Sequence, residues 1–229
     1  MSQIIAGVKI PDSQMAREAT QLVRDTESDL LYHHSRRVFL FGALAGERKQ
    51  LTFDPELLYI GAMFHDMGLT EAYSSAHDRF EVDGANAAQN FLRQHGIRDS
   101  EIELVWDAIA LHTTPGIPQY KKPVVALVTA GVEMDVLGLA YDEFSADERR
   151  LVVAAHPREP NFKEGIIDAF AQGTIKKPQS TFGNVKADVL ALKDSSYKRL
   201  NFCSIILGSE WGDPEQIGAN CHNPVHSHG

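Results

Sequence analysis

DPELLYIGAMFHDMG, residues 54–68, contains the start, the apolar face and the end of one buried helix. The Asp54-Pro55 pair is typical of a helix start, because the carboxylate accepts from free backbone N–H groups and proline needs no N–H in the first turn. The leucines and the glycine that follow mark one face, which leads to His65. Asp66 comes next, at the expected end of the helix. The segment therefore predicts a helix near 55–66 that brings an imidazole and a carboxylate to the core.

Similar helix signals recur along the rest of the chain. Apolar residues return at helical spacing in most segments, and the alternation of a half-buried strand is nearly absent. Ser100-x-x-Glu103 and Ser145-x-x-Glu148 have the spacing of capping boxes. The sequence therefore predicts an all-α protein, a helical bundle. We expect nine helices, near residues 13–25, 29–46, 55–66, 82–95, 101–112, 122–138, 146–155, 162–171 and 184–193.

Length and composition suit one domain. The chain has 229 residues, of which 43% are hydrophobic, enough for one well-filled core. We assign residues 1–200 to this domain, with its core in 28–190, and residues 201–229 to a loosely ordered C-terminal extension. The end of that extension, CHNPVHSHG, is expected to be a flexible tail that binds metal at most adventitiously through Cys221, His222, His226 and His228. Cys203 and Cys221 are expected to be reduced thiols.

Charge and hydropathy limit the classes of partner. A formal net charge of -9 and a pI of about 5.5 disfavour binding to nucleic acid or to an anionic membrane. The longest strongly apolar run, 124–132, is about half of the roughly 20 residues that a transmembrane helix needs. The N-terminal stretch does not have the pattern of a signal peptide. We expect a cytoplasmic protein whose partner is a small-molecule substrate, and a homo-oligomer stays open.

Polar residues interrupt the apolar stripes of two further helices. His34 shares one face with Val38 and Phe41, and Asp135 lies on the stripe that Val124 and Val128 begin. Burial of such groups without partners costs several kcal/mol. Two imidazoles and two carboxylates that point inward would suit zinc, iron, manganese or a similar divalent ion. The alternative for each residue alone is an ordinary hydrogen-bonded core residue.

The ordered set His34-Ser35, His65-Asp66 and a distant Asp135 resembles the HD-domain metal-dependent hydrolases, which are named for the adjacent His-Asp pair. The resemblance implies a helical bundle with a metal at its centre. A narrower similarity, over about residues 28–190, is to the cyanamide hydratase branch. It rests on HHSRRVFLFG (33–42), GAMFHDMGL (61–69), RFEVDGA (79–85), DAIALHT (107–113), GVEMDVLG (131–138), AHPRE (155–159) and KPQSTFGNV (177–185).

The resemblance also implies the ligands of the metal. His34, His65, Asp66 and Asp135 match the residues that bind the ion in the family, which we expect to be zinc, with iron or manganese as alternatives. His33 is the rival of His34, but it lies off the apolar face and is expected at the rim of the site.

Three residues are candidates for proton transfer: Asp66, His112 and Glu81. His112 resembles the extra histidine that HD proteins often place near the metal, and its alternative role is a cap at a helix end. Glu81 would supply an acid or base, or else belong to a charged loop. Arg37 is expected to support a ligand carboxylate or to face solvent. Pro157-Arg158 and Lys177-Pro178 are interpreted as helix punctuation and surface charge.

These residues favour hydration of a small nitrile. In a hydratase of this branch, an activated water would attack the nitrile carbon of cyanamide and give urea. The alternative is a metal-dependent phosphohydrolase acting on a nucleotide or another phosphate ester, for which Arg36, Arg37 and Arg79 are the nearby cations. A third hypothesis is a metal-containing binding or regulatory module without turnover.

Overall fold

The computed structural model describes residues 3–181, 183 and 185–212, and this part of the chain is almost entirely helical. It begins with a two-stranded antiparallel hairpin of β1 (Ile4–Ile5) and β2 (Val8–Lys9), in which Ile4 pairs with Lys9 and Ile5 with Val8. The α-helices that follow are α1 (Gln14–Thr26), α2 (Asp29–Arg48), α3 (Pro55–Phe64), α4 (Phe80–Gln94), α5 (Asp99–Ala110), α6 (Pro123–Val132), α7 (Ala146–Ala155), α8 (Phe162–Thr174), α9 (Val185–Lys193) and α10 (Phe202–Leu207). The predicted all-α class is confirmed, and each of the nine expected helices is present.

Two of the predicted helix starts are confirmed. The Asp54 carboxylate accepts hydrogen bonds from the backbone N–H groups of the first turn of α3. Ser145 and Glu148 form a complete capping box at the start of α7. The capping box predicted at Ser100 is wrong, because α5 already begins at Asp99 and has no side-chain cap. Among the described residues, no helix is both long and apolar enough to cross a membrane.

Helix α2 lies at the centre of the bundle. All its residues from His34 to Gly46 are buried, and it packs against α3, α6 and α8. Close approach to α6 depends on two glycines, since a Cβ at Gly42 would lie 2.6 Å from the Leu127 carbonyl oxygen and one at Gly131 would lie 2.1 Å from the Val38 carbonyl oxygen. The backbones of α2 and α6 therefore meet directly, which fixes the two helices that carry His34 and lead to Asp135.

We expect Gly131→Ala to destabilise the protein by about 1 to 3 kcal/mol, because its methyl group would meet the backbone of α2. The matched control is Gly165→Ala in α8, where the methyl group would meet only the end of the flexible Leu30 side chain. Alanine also favours the helix by up to about 1 kcal/mol, so the control should be close to neutral. Urea unfolding of both variants measures the difference, and equal stabilities would contradict the proposed backbone contact.

Two stretches differ from the predictions. The helix expected near 122–138 is α-helical only to Val132, and residues Glu133–Leu137 form a π-helical turn that ends at Gly138 with φ +68°. The extension expected to be loose from Asn201 onward begins instead with α10, and buried Trp211 donates its indole N–H to the Met134 carbonyl at 2.9 Å. This correction applies to 201–212. Cys203 is an exposed free thiol, and the tail residues Cys221, His222, His226 and His228 lie outside the described residues.

Candidate metal centre

His65 and Asp66 lie at the point where α3 ends. The helix stops at Phe64, His65 keeps helical backbone angles, and Asp66 leads into a 3₁₀ turn over Met67–Leu69. The start of α4 packs tightly on this turn, because a Cβ at Gly68 would lie 2.0 Å from the Phe80 carbonyl oxygen. Both side chains of the pair are therefore held in the interior, His65 at 0% and Asp66 at 1% exposure.

His34 of α2 faces the His65-Asp66 pair. The two Nε2 atoms of His34 and His65 are 3.1 Å apart. Oδ2 of Asp66 lies 3.6 Å from the first and 3.3 Å from the second. One ligand atom from each of the three residues lies within 4.8 Å of the others, in a group that could hold a metal ion. Of the four residues predicted as ligands, the structure brings these three together.

The hydrogen bonds of the two imidazoles define which nitrogen is free. Nδ1 of His65 lies 2.7 Å from the Ala62 carbonyl oxygen, and Nδ1 of His34 lies 2.7 Å from Oδ2 of Asp135. Because a carbonyl or a carboxylate can only accept, both Nδ1 atoms carry the proton and donate. In the neutral rings, each Nε2 then presents a lone pair to the other, and both Asp66 oxygens are buried without a hydrogen-bond partner among the described residues. Such a set of acceptors fits a divalent cation, which satisfies all of them at once.

The charges within the group are consistent with this interpretation. Burial alone would raise the pKa of Asp66, but the neighbouring charge of His65 holds that pKa below its ordinary value. Burial lowers the pKa of His65, but the charge of Asp66 outweighs it and raises that pKa above the usual value. Positive charge next to Asp66 therefore stabilises its carboxylate form, and a bound cation would supply such a charge.

His112 faces Asp66 from the end of α5. Its Nδ1 lies 2.6 Å from the Ile109 carbonyl oxygen, so this nitrogen donates as in His65. Its Nε2 is buried 3.7 Å from Oδ1 of Asp66 and has no hydrogen-bond partner in the part of the chain that the structure describes. Burial, with the charge of His65, lowers the pKa of His112 to about 4. At neutral pH the ring is therefore uncharged, with an acceptor nitrogen directed at the centre.

Glu81 lies in the first turn of α4, behind His112. Its buried carboxylate accepts hydrogen bonds from Arg79 and from Thr113, the residue after His112. Burial raises the pKa of Glu81, but the hydrogen bonds from Arg79 and Thr113 bring it below its ordinary value. Glu81 is thus an ionised carboxylate whose charge acts on His112.

The structure places Asp135 at Nδ1 of His34. Its Oδ2 accepts from Nδ1 of His34, and the carboxylate is also bound by Arg37 and Arg158. Asp135, the fourth residue predicted as a ligand, is not part of the three-residue group found among the described residues. His33, the rival of His34, lies outside the group, with its Nδ1 3.4 Å from Nδ1 of His156.

Two basic residues that the sequence indicated as surface charge are buried in ion pairs. Arg158 is buried and forms an ion pair with Asp135, and Lys177 is buried and forms an ion pair of 2.7 Å with Asp83. Both lie outside the helices, where no periodic pattern signals burial. For Arg37, the expected support of a carboxylate is the arrangement found, with Asp135 as its partner.

Glu27 is a buried acid that the sequence did not single out. Its Oε2 accepts a hydrogen bond of 3.3 Å from Ser35, and its Oε1 is buried with no hydrogen-bond partner among the residues that the structure describes. Burial, with the nearby charge of Asp66, raises the pKa of Glu27 well above its ordinary value. The folded state therefore favours the protonated form of Glu27. The contribution of this acid to the stability of the fold is fully present below its pKa in the unfolded chain, and it is lost as the pH rises through its pKa in the folded protein.

We expect Glu27→Gln to be more stable than the unchanged protein at pH 8 by about 1 kcal/mol or more, and to have similar stability at pH 4, because glutamine cannot ionise. Urea unfolding at the two pH values, with a chelator present, measures this. Glu71→Gln on the exposed loop is the control for the chemical change. A stability difference for Glu27→Gln that is the same at both pH values would contradict the assignment.

Comparison with known protein families gives one match. A family model described as HD domain matches residues 31–156, more than half of the chain. The matched range includes His34, His65, Asp66, Glu81, His112 and Asp135, and it ends before Arg158. No curated protein matches the chain.

Proposed function

The chain belongs to the HD-domain family, whose members are generally metal-dependent hydrolases, and on that premise we propose that it hydrates a small nitrile such as cyanamide to urea. His34, His65 and Asp66 would hold the divalent ion, for which the nitrogen and oxygen donors favour zinc over iron or manganese. A bound ion of this kind would supply an acidified water, whose pKa is lowered to about 7.

The observation that favours a nitrile over a phosphate ester is that the arginines expected near the site already bind other protein groups. Phosphate recognition usually recruits free guanidinium groups. Arg37 is bound to Asp135, and Arg79 is bound to Glu81. Arg36 donates to Tyr59 and His156. Within the described residues, the three cations expected near the site are thus committed to protein partners, which favours a small uncharged substrate.

The surroundings of the group also suit a small substrate. The ring of Phe162 lies 5.9 Å from that of His34, and the ring of Phe80 lies 5.6 Å from that of His112. The histidines and Asp66 are almost fully buried. Apolar walls of this kind would exclude bulk water from the reacting groups.

His112 would move the proton in this reaction. Addition of water to cyanamide forms one C–O bond, converts the C≡N bond to C=N and transfers one proton from water to the nitrile nitrogen; the resulting isourea tautomerises to urea. The unpaired Nε2 of His112 accepts the proton from the water and returns it to nitrogen. Glu81 stabilises the imidazolium form of His112 through its charge.

The test is urea formation from cyanamide by protein loaded separately with zinc, iron or manganese, beside chelated protein. His112→Gln is the diagnostic variant: it should keep its metal and lose turnover about 100-fold or more. Metal-dependent urea formation with this pattern supports the proposal. Absence of urea with every metal, together with turnover of a panel of phosphate esters, would contradict it and favour the phosphohydrolase. Loss of metal in His112→Gln would contradict the proton-transfer role.

A further inference from the structure

The Asp135 carboxylate has no free acceptor directed at the histidine and aspartate group. Oδ2 accepts from His34 Nδ1 at 2.7 Å and from Arg37 Nη2 at 3.0 Å. Oδ1 accepts from Arg37 Nε and from Arg158 Nη1, both at 2.8 Å. The side chain is completely buried. Its lone pairs are therefore taken by four donors, none of which is a metal.

Two arginines hold Asp135 in this position. Arg37 also donates to the carbonyl oxygens of His156 and Pro157, and Arg158 donates to the Asp135 carbonyl. The two guanidinium groups lie over the ring of Phe162, 4.9 and 4.0 Å from its centroid. Rotation of Asp135 toward a metal would leave two buried cations without their carboxylate, which is costly.

The geometry of the imidazole separates Asp135 from the metal side of His34. Nδ1 and Nε2 lie on different edges of the ring, and Asp135 occupies the Nδ1 edge. Asp66 and His65 occupy the Nε2 edge. A carboxylate that accepts from the N–H of a metal-binding histidine fixes the tautomer and orientation of the ring and raises its basicity.

We propose that Asp135 is a positioning residue for His34 and not a ligand of the metal, and that Arg37 and Arg158 hold it in that role. The inference rests on the proposed metal centre. It assigns three protein ligands, His34, His65 and Asp66, and so leaves more coordination positions for water and substrate than a four-residue set would.

The matched pair Asp135→Asn and Asp66→Asn tests this, because each variant replaces one buried carboxylate by its amide. Zinc content after dialysis, zinc affinity by chelator competition and the visible spectrum of the cobalt-substituted protein are measured for both. Asp135→Asn should keep one ion per chain, bind it about 10- to 100-fold more weakly and leave the cobalt bands in place. Asp66→Asn should lose the ion. Shifted cobalt bands or equal loss of metal in folded Asp135→Asn would overturn the inference.

A measurement on the unchanged protein avoids any variant that fails to fold. With ¹⁵N-labelled histidine, the Nδ1–H proton of His34 should give a strongly downfield, slowly exchanging signal that persists when zinc is added. Loss of the signal on zinc binding would mean that Asp135 leaves His34 for the metal, which overturns the inference. Zinc binding with this loss leaves the proposed function intact, whereas failure of the unchanged protein to bind zinc, iron or manganese overturns both.

Discussion

Asp66→Ala is expected to bind zinc at least about 100-fold more weakly than the unchanged protein and to lose metal-dependent turnover with it. Asp66 is the carboxylate that faces both Nε2 atoms of the histidine pair, and within residues 3–181, 183 and 185–212 neither of its oxygens has a hydrogen-bond partner. Without it, two neutral imidazoles remain, which hold a divalent ion poorly.

Thermal unfolding gives a readout of this loss that does not depend on substrate. A ligand that binds only the folded state stabilises it by about 2.7 kcal/mol at a concentration 100 times its Kd. Zinc should therefore raise the Tm of the unchanged protein and leave that of Asp66→Ala where it is. Asp83→Ala is the matched control, since Asp83 is also a buried carboxylate but pairs with Lys177. It should lower the Tm and keep the response to zinc. A full zinc response in Asp66→Ala would rule out this metal centre.

The helices were predictable because their signals are local. An apolar stripe, a capping residue and a stop signal lie within one segment, as in α3, where Asp54 caps the start and His65 follows the end. The hairpin was missed because strands of two residues are too short to show alternation. Helix α10 was missed for a similar reason, since six residues give less than two turns of pattern.

The candidate site was predictable in part. Helical spacing on α2 and α3 directs His34 and His65 inward, and the structure brings them together with Asp66. The same pattern places Asp135 in the core, but it does not show which groups the carboxylate meets there. Its partners Arg37 and Arg158 lie 98 and 23 residues away in the chain, and a π-helical turn changes the direction of the segment that carries it. Such long-range pairings have no local signal.

The ion pair of Arg37 with Asp135 also predicts a large effect on stability. We expect Arg37→Met to destabilise the protein by about 3 to 5 kcal/mol, because removal of one member of a buried ion pair leaves charged and polar groups without their partners. The buried Asp135 carboxylate would keep only part of the positive charge that offsets its own. The carbonyl oxygens of His156 and Pro157 would each lose a hydrogen-bond donor. Methionine fills much of the volume, so a cavity accounts for little of the loss.

Arg48→Met is the matched control for this prediction. Arg48 lies on the same helix and pairs with Glu148, with two contacts of 3.0 and 3.1 Å, but both side chains are partly exposed. An ion pair at the surface contributes about 1 kcal/mol or less, since water solvates both partners when the pair is broken. Urea unfolding of the two variants compares the same substitution in the two environments. Similar losses would mean that the Arg37 and Asp135 pair contributes no more than a surface pair, and Arg37 could then not be what holds Asp135 against His34.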